Sequence, residues 1–477
     1  VHDKVRVAKN PVVSSWRLAH NDKASQFAIE RTMLTHPSSF RTRLEGPMLD
    51  ARAFSLDLTG LELFLEPGTF EARNDLARAI GAELARREGP GADFLGWLDL
   101  PRTATGPGLD RLLDAAEAAR ADTDVVVVIG IGGSYLGAEA VLSALTDRAS
   151  GPEILFAGTH LCAAGLRRLL RRIEGRDVRL CVISKSGTTL EPAVSFRLFR
   201  AALRERYGRD GERRRITAIT DASRGALRAL ADAEGWDTYV IPDDVGGRFS
   251  VLTPVGLWPL AVAGLDVRRL LEGAADMAAT CENPVLSANP AHLYAVARHL
   301  LYGAGYTTEV LSTFHSDLGP LQEWWKQLFG ESEGKHGRGI FPASCRFTTD
   351  LHSLGQYLQD GRRELFETFL TVRETVPALV VPASADRGDG LAYLEGRALD
   401  DINAQAYAGT RAAHREGGLP TLSLELARLD EWSLGGLLFF FEKAVAVSGR
   451  LLGVNPFDQP GVEAYKREMF RLLGKPA

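Results

Sequence analysis

The chain is poor in cysteine. Among 477 residues only Cys162, Cys181, Cys281 and Cys345 occur, far apart and without CxxC spacing. No zinc site or redox pair is legible, and the usage fits a reducing compartment. Cys181, inside an apolar run, reads as a small core residue. Long apolar runs are also missing. The most apolar stretch, residues 434–441, is followed by Glu442 and Lys443 and is too short to span a bilayer. The N-terminus lacks the apolar core of a signal peptide. There is no excess of positive charge either. A net charge of −5 gives no electrostatic footprint for nucleic acid. The basic clusters Arg167-Arg168, Arg171-Arg172 and Arg213-Arg214-Arg215 read as solvated helix faces and a surface turn. A cytoplasmic protein without nucleic-acid or membrane partners is expected. Composition is otherwise that of a globular chain, with 45% hydrophobic and 25% charged residues, and the length suffices for two or three domains.

Residues 1–47 are polar and aperiodic. They read as a flexible extension or as translated sequence upstream of Met48. A helical pattern runs over 61–87 and stops at Gly89-Pro90-Gly91. A short amphipathic helix is expected over 109–120. The β-branched run Val125-Val126-Val127-Val128-Ile129 is the strongest buried-strand signal. Strands at 154–157, 178–183, 216–219 and 238–241 then alternate with helices from Tyr135, over 161–173, after Thr189 and over 225–233. This alternation predicts a doubly wound α/β layer with a parallel sheet, whose ligands bind at the carboxyl ends of strands. The second half predicts a helix over 290–306, strands at 308–311, 369–372 and 378–381, a long apolar helix over 432–452 and a last helix over 459–473. In that last helix Val462, Tyr465, Met469 and Leu472 are expected inward.

Several loops carry chemistry. Ser184-Lys185-Ser186-Gly187-Thr188-Thr189 joins a strand to a helix. Four hydroxyls, a lysine, a glycine and the free amides of a helix start suit a phosphate. The plain alternative is a Ser/Thr-capped helix. Gly130-Ile131-Gly132-Gly133-Ser134 first suggests a dinucleotide site. The fingerprint's third glycine is replaced by Tyr135, and no acidic residue ends the next strand, so a sugar or phosphate is favoured. In the loop 243–250, two glycines stand beside Arg248, a cation able to stabilise an oxyanion unless it is a surface residue of a plain turn. Glu331, read as a loop residue behind Trp324, Trp325 and Phe329, faces apolar walls that would raise a carboxyl pKa toward that of a general base. His352 is read as mid-helix, on a helix capped by Asp350. Lys466 borders the inward face of the last helix, and Glu463 and Arg467 read as an exposed pair.

Taken together, these segments resemble one family. Residues 243–256 (DDVGGRFSVLTPVG) and 453–466 (GVNPFDQPGVEAYK) match two long signatures of glucose-6-phosphate isomerases in their shorter bacterial form. GIGGSYLG (130–137), SKSGTT (184–189), GESEGK (330–335) and TDLHSLGQ (349–356) are similar to the family's loops. The departures are small: Leu190 where many relatives have a third threonine, and Glu333 where longer members have asparagine. The resemblance covers the chain from about residue 50 onward. It implies two α/β/α sandwiches of the sugar-isomerase type with mainly parallel sheets, over 48–289 and 290–452, and a C-terminal helix within 453–477.

It also implies roles. Ser184, Lys185, Ser186 and Thr189 match the phosphate site, and Gly133 and Ser134 the sugar loop. Arg248 matches the enediolate stabiliser and Glu331 the base between C2 and C1. His352 and Lys466 match ring-opening groups, and Gln327 and Gln459 polar neighbours of the substrate. A homodimer is implied, with His352 supplied by the neighbouring subunit, and neither metal nor cofactor. The implied activity is reversible isomerisation of glucose 6-phosphate to fructose 6-phosphate. Three alternatives stand beside it. They are a phosphosugar sensor without catalysis, a nicotinamide-dependent dehydrogenase, and an isomerase of another phosphosugar such as mannose 6-phosphate.

Overall fold

The structure is a computed structural model and describes residues 54–374, 379–385 and 388–475. The expected extension over 1–47, and Ala378 of the expected strand 378–381, lie outside these. A short strand, β1 (Phe54–Asp57), comes first, followed by α1 (Asn74–Ala85), α2 (Leu100–Thr103) and α3 (Pro107–Arg120). The helical pattern over 61–87 therefore yields a helix only from Asn74. Pro67 lacks an amide hydrogen, and Gly68 adopts φ 83°, so only single turns form before Asn74.

The β-branched run forms the centre of a fully parallel sheet. β2 (Val125–Ile129), buried throughout, lies between β3 (Glu153–Ala157) and β4 (Val178–Ile183). β5 (Ile216–Thr220) and β6 (Asp237–Val240) complete the order β3-β2-β4-β5-β6. The crossovers are α4 (Leu136–Ala144), α5 (Ala163–Arg172), α6 (Leu190–Arg213) and α7 (Ala226–Glu234). The chain leaves β2 for one side and returns on the other. The switch point therefore lies between β2 and β4, and the two loops singled out in the sequence follow these strands.

Next come α8 (Pro254–Val262), α9 (Val267–Thr280) and α10 (Pro290–Gly303), and then a second sheet. Its strands are β7 (Thr308–Thr313), β8 (Phe341–Arg346), β9 (Leu365–Glu374) and β10 (Thr421–Arg428). The order is β1-β10-β9-β7-β8, with β1 antiparallel and the rest parallel. Its helices are α11 (Gly319–Glu333), α12 (Gly355–Asp360), α13 (Leu399–Glu416) and α14 (Glu431–Leu451), before the final α15 (Glu463–Leu472). Beyond Ala378, the expected strand 378–381 is reduced to an isolated bridge between Val380 and Ala398.

One apolar core joins Val126, Val128 and Ile183 of the first sheet to Leu311, Phe366 and Leu424 of the second. Two features cross the division expected at residue 289. β1 pairs with β10, and α9 lies tight against α14. A Cβ on Gly435 would stand 1.8 Å from the Leu270 carbonyl oxygen, and one on Gly273 1.8 Å from that of Trp432. Both glycines thus permit backbone contact between the helices. Glu442 and Lys443, read as a charged end to the apolar run, are both buried within α14. Among the described residues no helix is long and apolar enough to cross a membrane.

Candidate active site

The hydroxyl-rich loop forms the strand–turn–helix junction expected from its sequence. After β4, the Ser184 hydroxyl accepts the Gly187 amide at 3.0 Å, and Ser186 Oγ accepts the Thr188 amide at 3.2 Å. Gly187 has φ 74°, and a Cβ there would meet the Leu227 amide nitrogen at 2.3 Å, so the turn needs glycine. Thr220 Oγ1 donates to the Ser184 carbonyl at 2.8 Å, which ties the loop to β5. Thr189 precedes α6 without a side-chain capping bond, leaving its hydroxyl and the first helical amides for a ligand. Lys185 Nζ sits 2.9 Å from Asp243 Oδ1. A cleft of about 490 Å³ opens here, lined by Ser134, Ser184, Lys185, Ser186, Thr189 and Arg224 among others. The glycine loop after β2 and the hydroxyl loop after β4 thus share one opening.

A second cluster centres on Arg248, only 2% exposed in the turn Gly247–Phe249. The surface-arginine alternative is therefore set aside. Its Nε donates to Ser332 Oγ at 2.8 Å, and its Nη2 to the carbonyls of Pro456 (2.6 Å) and Asp458 (3.0 Å). Nη1 donates to Gln459 Oε1 at 2.6 Å and reaches Glu331 Oε2 at 3.3 Å. Burial lowers the pKa of this guanidinium, opposed by Glu331 and Asp458. Gln327 Nε2 donates to Glu331 Oε1 at 3.1 Å. The two clusters meet at the glycine loop. A Cβ on Gly132 would lie 2.7 Å from Gln327 Nε2, and one on Gly133 2.0 Å from the Gly247 carbonyl oxygen.

Three expectations are corrected. Glu331 lies in the last turn of α11, not in a loop, and its side chain is 31% exposed. Arg248 and Gln327 face it in place of apolar walls, because Trp324, Trp325 and Phe329 turn into the core. His352 ends a 3₁₀ turn (Thr349–His352) and is exposed. Asp350 does not cap a helix with its side chain; its carboxylate accepts the Arg346 amide at 2.6 Å and the Ser353 hydroxyl at 3.1 Å. Finally, α15 buries none of its residues. Tyr465 is 58% and Leu472 71% exposed, since no element among the described residues covers them. Lys466 pairs with Glu463 at 2.9 Å, in place of the expected Glu463–Arg467 pair. That hydrogen bond raises the Lys466 pKa, and the field of Glu331 adds to it.

The structure thus gathers Arg248, Glu331, Gln327, Gln459 and Gly133 directly, with Ser134, Ser184, Lys185, Ser186 and Thr189 around the adjoining cleft. A sequence model described as phosphoglucose isomerase matches residues 115–363 and 388–473. A glucose-6-phosphate isomerase of Symbiobacterium thermophilum is 56% identical over 403 residues, 82% of this chain and 90% of the relative. That of Shouchella clausii is 50% identical over 411 residues, 84% of this chain and 91% of the relative. The chain belongs to the phosphoglucose isomerase family. Among solved structures, a hypothetical protein of Thermus thermophilus superposes with TM-score 0.81 at 30% identity, over 88% of this chain and 99% of the other. A glucose-6-phosphate isomerase of Chlamydia trachomatis shares the fold with TM-score 0.76 at 22% identity, over 91% of each chain.

Reading the phosphoglucose isomerase motifs residue by residue did not single out Ser332, Lys335 or Asp458. Ser332 accepts from Arg248, and Lys335 Nζ bonds the Asn455 carbonyl and lies 2.8 Å from Asp458 Oδ1. Burial lowers the Lys335 pKa, while Asp458 holds it up. The signal was present: Lys335 ends GESEGK, and Asp458 precedes Gln459 in the second signature.

Proposed function

We propose that the cluster around Arg248 and Glu331 interconverts glucose 6-phosphate and fructose 6-phosphate. The chain is an aldose–ketose isomerase, and this reaction is a step of glycolysis and, reversed, of gluconeogenesis. The observation that carries the site assignment is the Arg248–Glu331 pair at 3.3 Å, set beside the hydroxyl-lined cleft. A carboxylate next to a buried cation is the minimal equipment for enolisation.

Ser184, Lys185, Ser186 and Thr189 hold the phosphate, and Gly133 and Ser134 line the sugar. Lys185 exchanges part of its hold on Asp243 for the phosphate. His352 of a second copy and Lys466 open the ring, one taking the proton of the anomeric hydroxyl while the other protonates the ring oxygen. Glu331 then removes the proton from C2. The C–H electron pair becomes the C1–C2 double bond, and charge gathers on the enediolate oxygen. Arg248 stabilises that charge, because its contact to Glu331, at 3.3 Å its longest, is the one an oxyanion can share. The same carboxyl returns the proton to C1 while the hydroxyl proton on O2 passes to O1 and C2 becomes the carbonyl, so oxidation and reduction occur within one molecule and neither metal nor redox cofactor takes part. Gln327 and Gln459 orient the carboxylate and the guanidinium. The working form is a cytoplasmic homodimer in which His352 crosses to the partner.

The test couples purified protein and fructose 6-phosphate to glucose-6-phosphate dehydrogenase, without added metal. Turnover is expected in the parent and is nearly abolished in Glu331→Gln, which still binds phosphosugar. Wild-type turnover in Glu331→Gln would remove the proposed base.

A further inference from the structure

The base sits on a glycine-rich piece of chain. Gly330 and Gly334 bracket the last turn of α11, and Gly337 and Gly339 follow with φ of 70° and 110°. The turn also ends in Glu333, a fully buried carboxylate at the negative end of the helix dipole, where it is disfavoured. Something outside the helix must hold it.

That group is Arg298 on α10, which is itself fully buried. Its Nη1 donates to Glu333 Oε1 at 2.5 Å and its Nη2 to Oε2 at 3.2 Å, a two-pronged grip. Its guanidinium carbon lies 4.3 Å from the centre of the Phe329 ring. Phe329 and Glu333 are four apart and share one face of α11; Glu331, two from each, lies on the opposite face. Arg298 is itself anchored. Nε donates to Glu309 Oε2 on β7 at 2.6 Å, and Nη1 also reaches Ser448 Oγ on α14 at 2.7 Å. Glu309 is fixed in turn by Tyr294 and by Thr368 of β9. The second sheet therefore reaches the base-bearing turn through one guanidinium behind the helix, while Arg248 meets the same turn in front.

We propose that Arg298, acting through Glu333 and Phe329, is a positioning residue that holds the Glu331 carboxylate in the geometry for carrying one proton from C2 to C1. This rests on Glu331 being the base. The decisive variant is Glu333→Gln, which keeps shape and one acceptor but breaks the two-pronged ion pair. Three readouts are taken per folded enzyme. kcat and KM come from a titration with fructose 6-phosphate, and the third, at saturating fructose 6-phosphate, is the fraction of product formed in D₂O that keeps the original proton. A loosened base lets the proton exchange, so kcat falls about tenfold and the retained fraction drops, while KM stays within about twofold. Lost stability alone leaves the retained fraction unchanged. An unchanged retained fraction, whatever kcat does, therefore overturns the inference, as does a change confined to KM. If Glu333→Gln fails to fold, Phe329→Leu weakens the other half of the grip and is judged by the same readouts. Glu331→Gln is run alongside. Turnover there refutes the base itself, whereas an inactive Glu331→Gln beside a normal Glu333→Gln refutes only the positioning role.

Discussion

Arg248→Lys is the sharpest single test of how the site works. The substitution keeps the charge and removes the fork. In the parent, three nitrogens serve five acceptors drawn from α11 and from the segment before α15: Glu331, Ser332, Pro456, Asp458 and Gln459. A lysine ammonium has three donors on one nitrogen and cannot span them. At least two acceptors around a 2%-exposed position lose their partner. At about 1–3 kcal/mol for each stranded buried group, the folded state loses roughly 2–6 kcal/mol. The chemical step loses more selectively. Removing an oriented donor from a developing oxyanion costs about 2.7–4 kcal/mol, or about 10²–10³ in kcat. The loop proposed to hold the phosphate follows β4 and shares none of these hydrogen bonds, so KM should move by no more than about threefold. Coupled kinetics on protein shown to be folded by thermal melting separates the two losses. A folded Arg248→Lys enzyme with kcat within about threefold of the parent would refute the oxyanion role, however much stability it had lost.

The remaining expectations concern other parts of the chain. Ser186→Ala combined with Thr189→Ala removes two cleft hydroxyls and should raise KM for fructose 6-phosphate by about tenfold or more with kcat largely kept; unchanged kinetics would end the phosphate-handle assignment. Gly133→Ala places a methyl 2.0 Å from the Gly247 carbonyl oxygen and 2.8 Å from the Arg248 amide nitrogen, and should displace that turn, cutting kcat and costing about 1–3 kcal/mol in urea unfolding; parent-like kcat would show that the two loops part freely. His292 is buried, and burial, aided by Lys443, lowers its pKa from 6.5 to about 3. Below pH 6.5 the unfolded chain binds a proton that the folded chain refuses, so stability falls by about 1.4 kcal/mol per pH unit down to about pH 3. His292→Gln should flatten urea-derived stability against pH between about 6 and 4 by close to one proton, and superimposable curves would refute that burial effect.

Much of the first sheet was legible because its physics is local. β2 and residues 180–183 of β4 are apolar runs buried on both faces, and each ends at a turn whose glycines and hydroxyls have a mechanical reason. What escaped was structure without a local pattern. β8 reads Phe-Pro-Ala-Ser-Cys-Arg, with Phe341 exposed and Pro342 inside the strand, and is a strand only because β7 pairs with it. α13 buries only His414, which meets Glu367 Oε2 at 2.6 Å; no apolar stripe announces such a helix. α8 fails for the opposite reason. Every residue from Val255 to Val262 is buried, so no face stands out.

In the site, the split falls between identity and circumstance. The motifs marked Arg248, Glu331 and Gln459 by matching a family, but composition left the arginine on the surface and the glutamate in a loop. Gly330 and Gly334 hid a helix end, because glycine is the ordinary mark of a loop and only packing overrides it. The surface alternative for Arg248 stayed open in the sequence because its partners lie 83 or more positions away in the chain. A buried guanidinium is tolerable only when nearly all its donors are met. Five acceptors arriving from two distant segments satisfy that condition, and no window of sequence displays them together. The closure that buries Arg248 is also what brings Glu331 to 3.3 Å from it, so the burial and the pairing of the two charges follow from one long-range contact. Motifs could name its members, and only the packing of α11 and residues 456–459 around the turn Gly247–Phe249 supplies the reason they stand together.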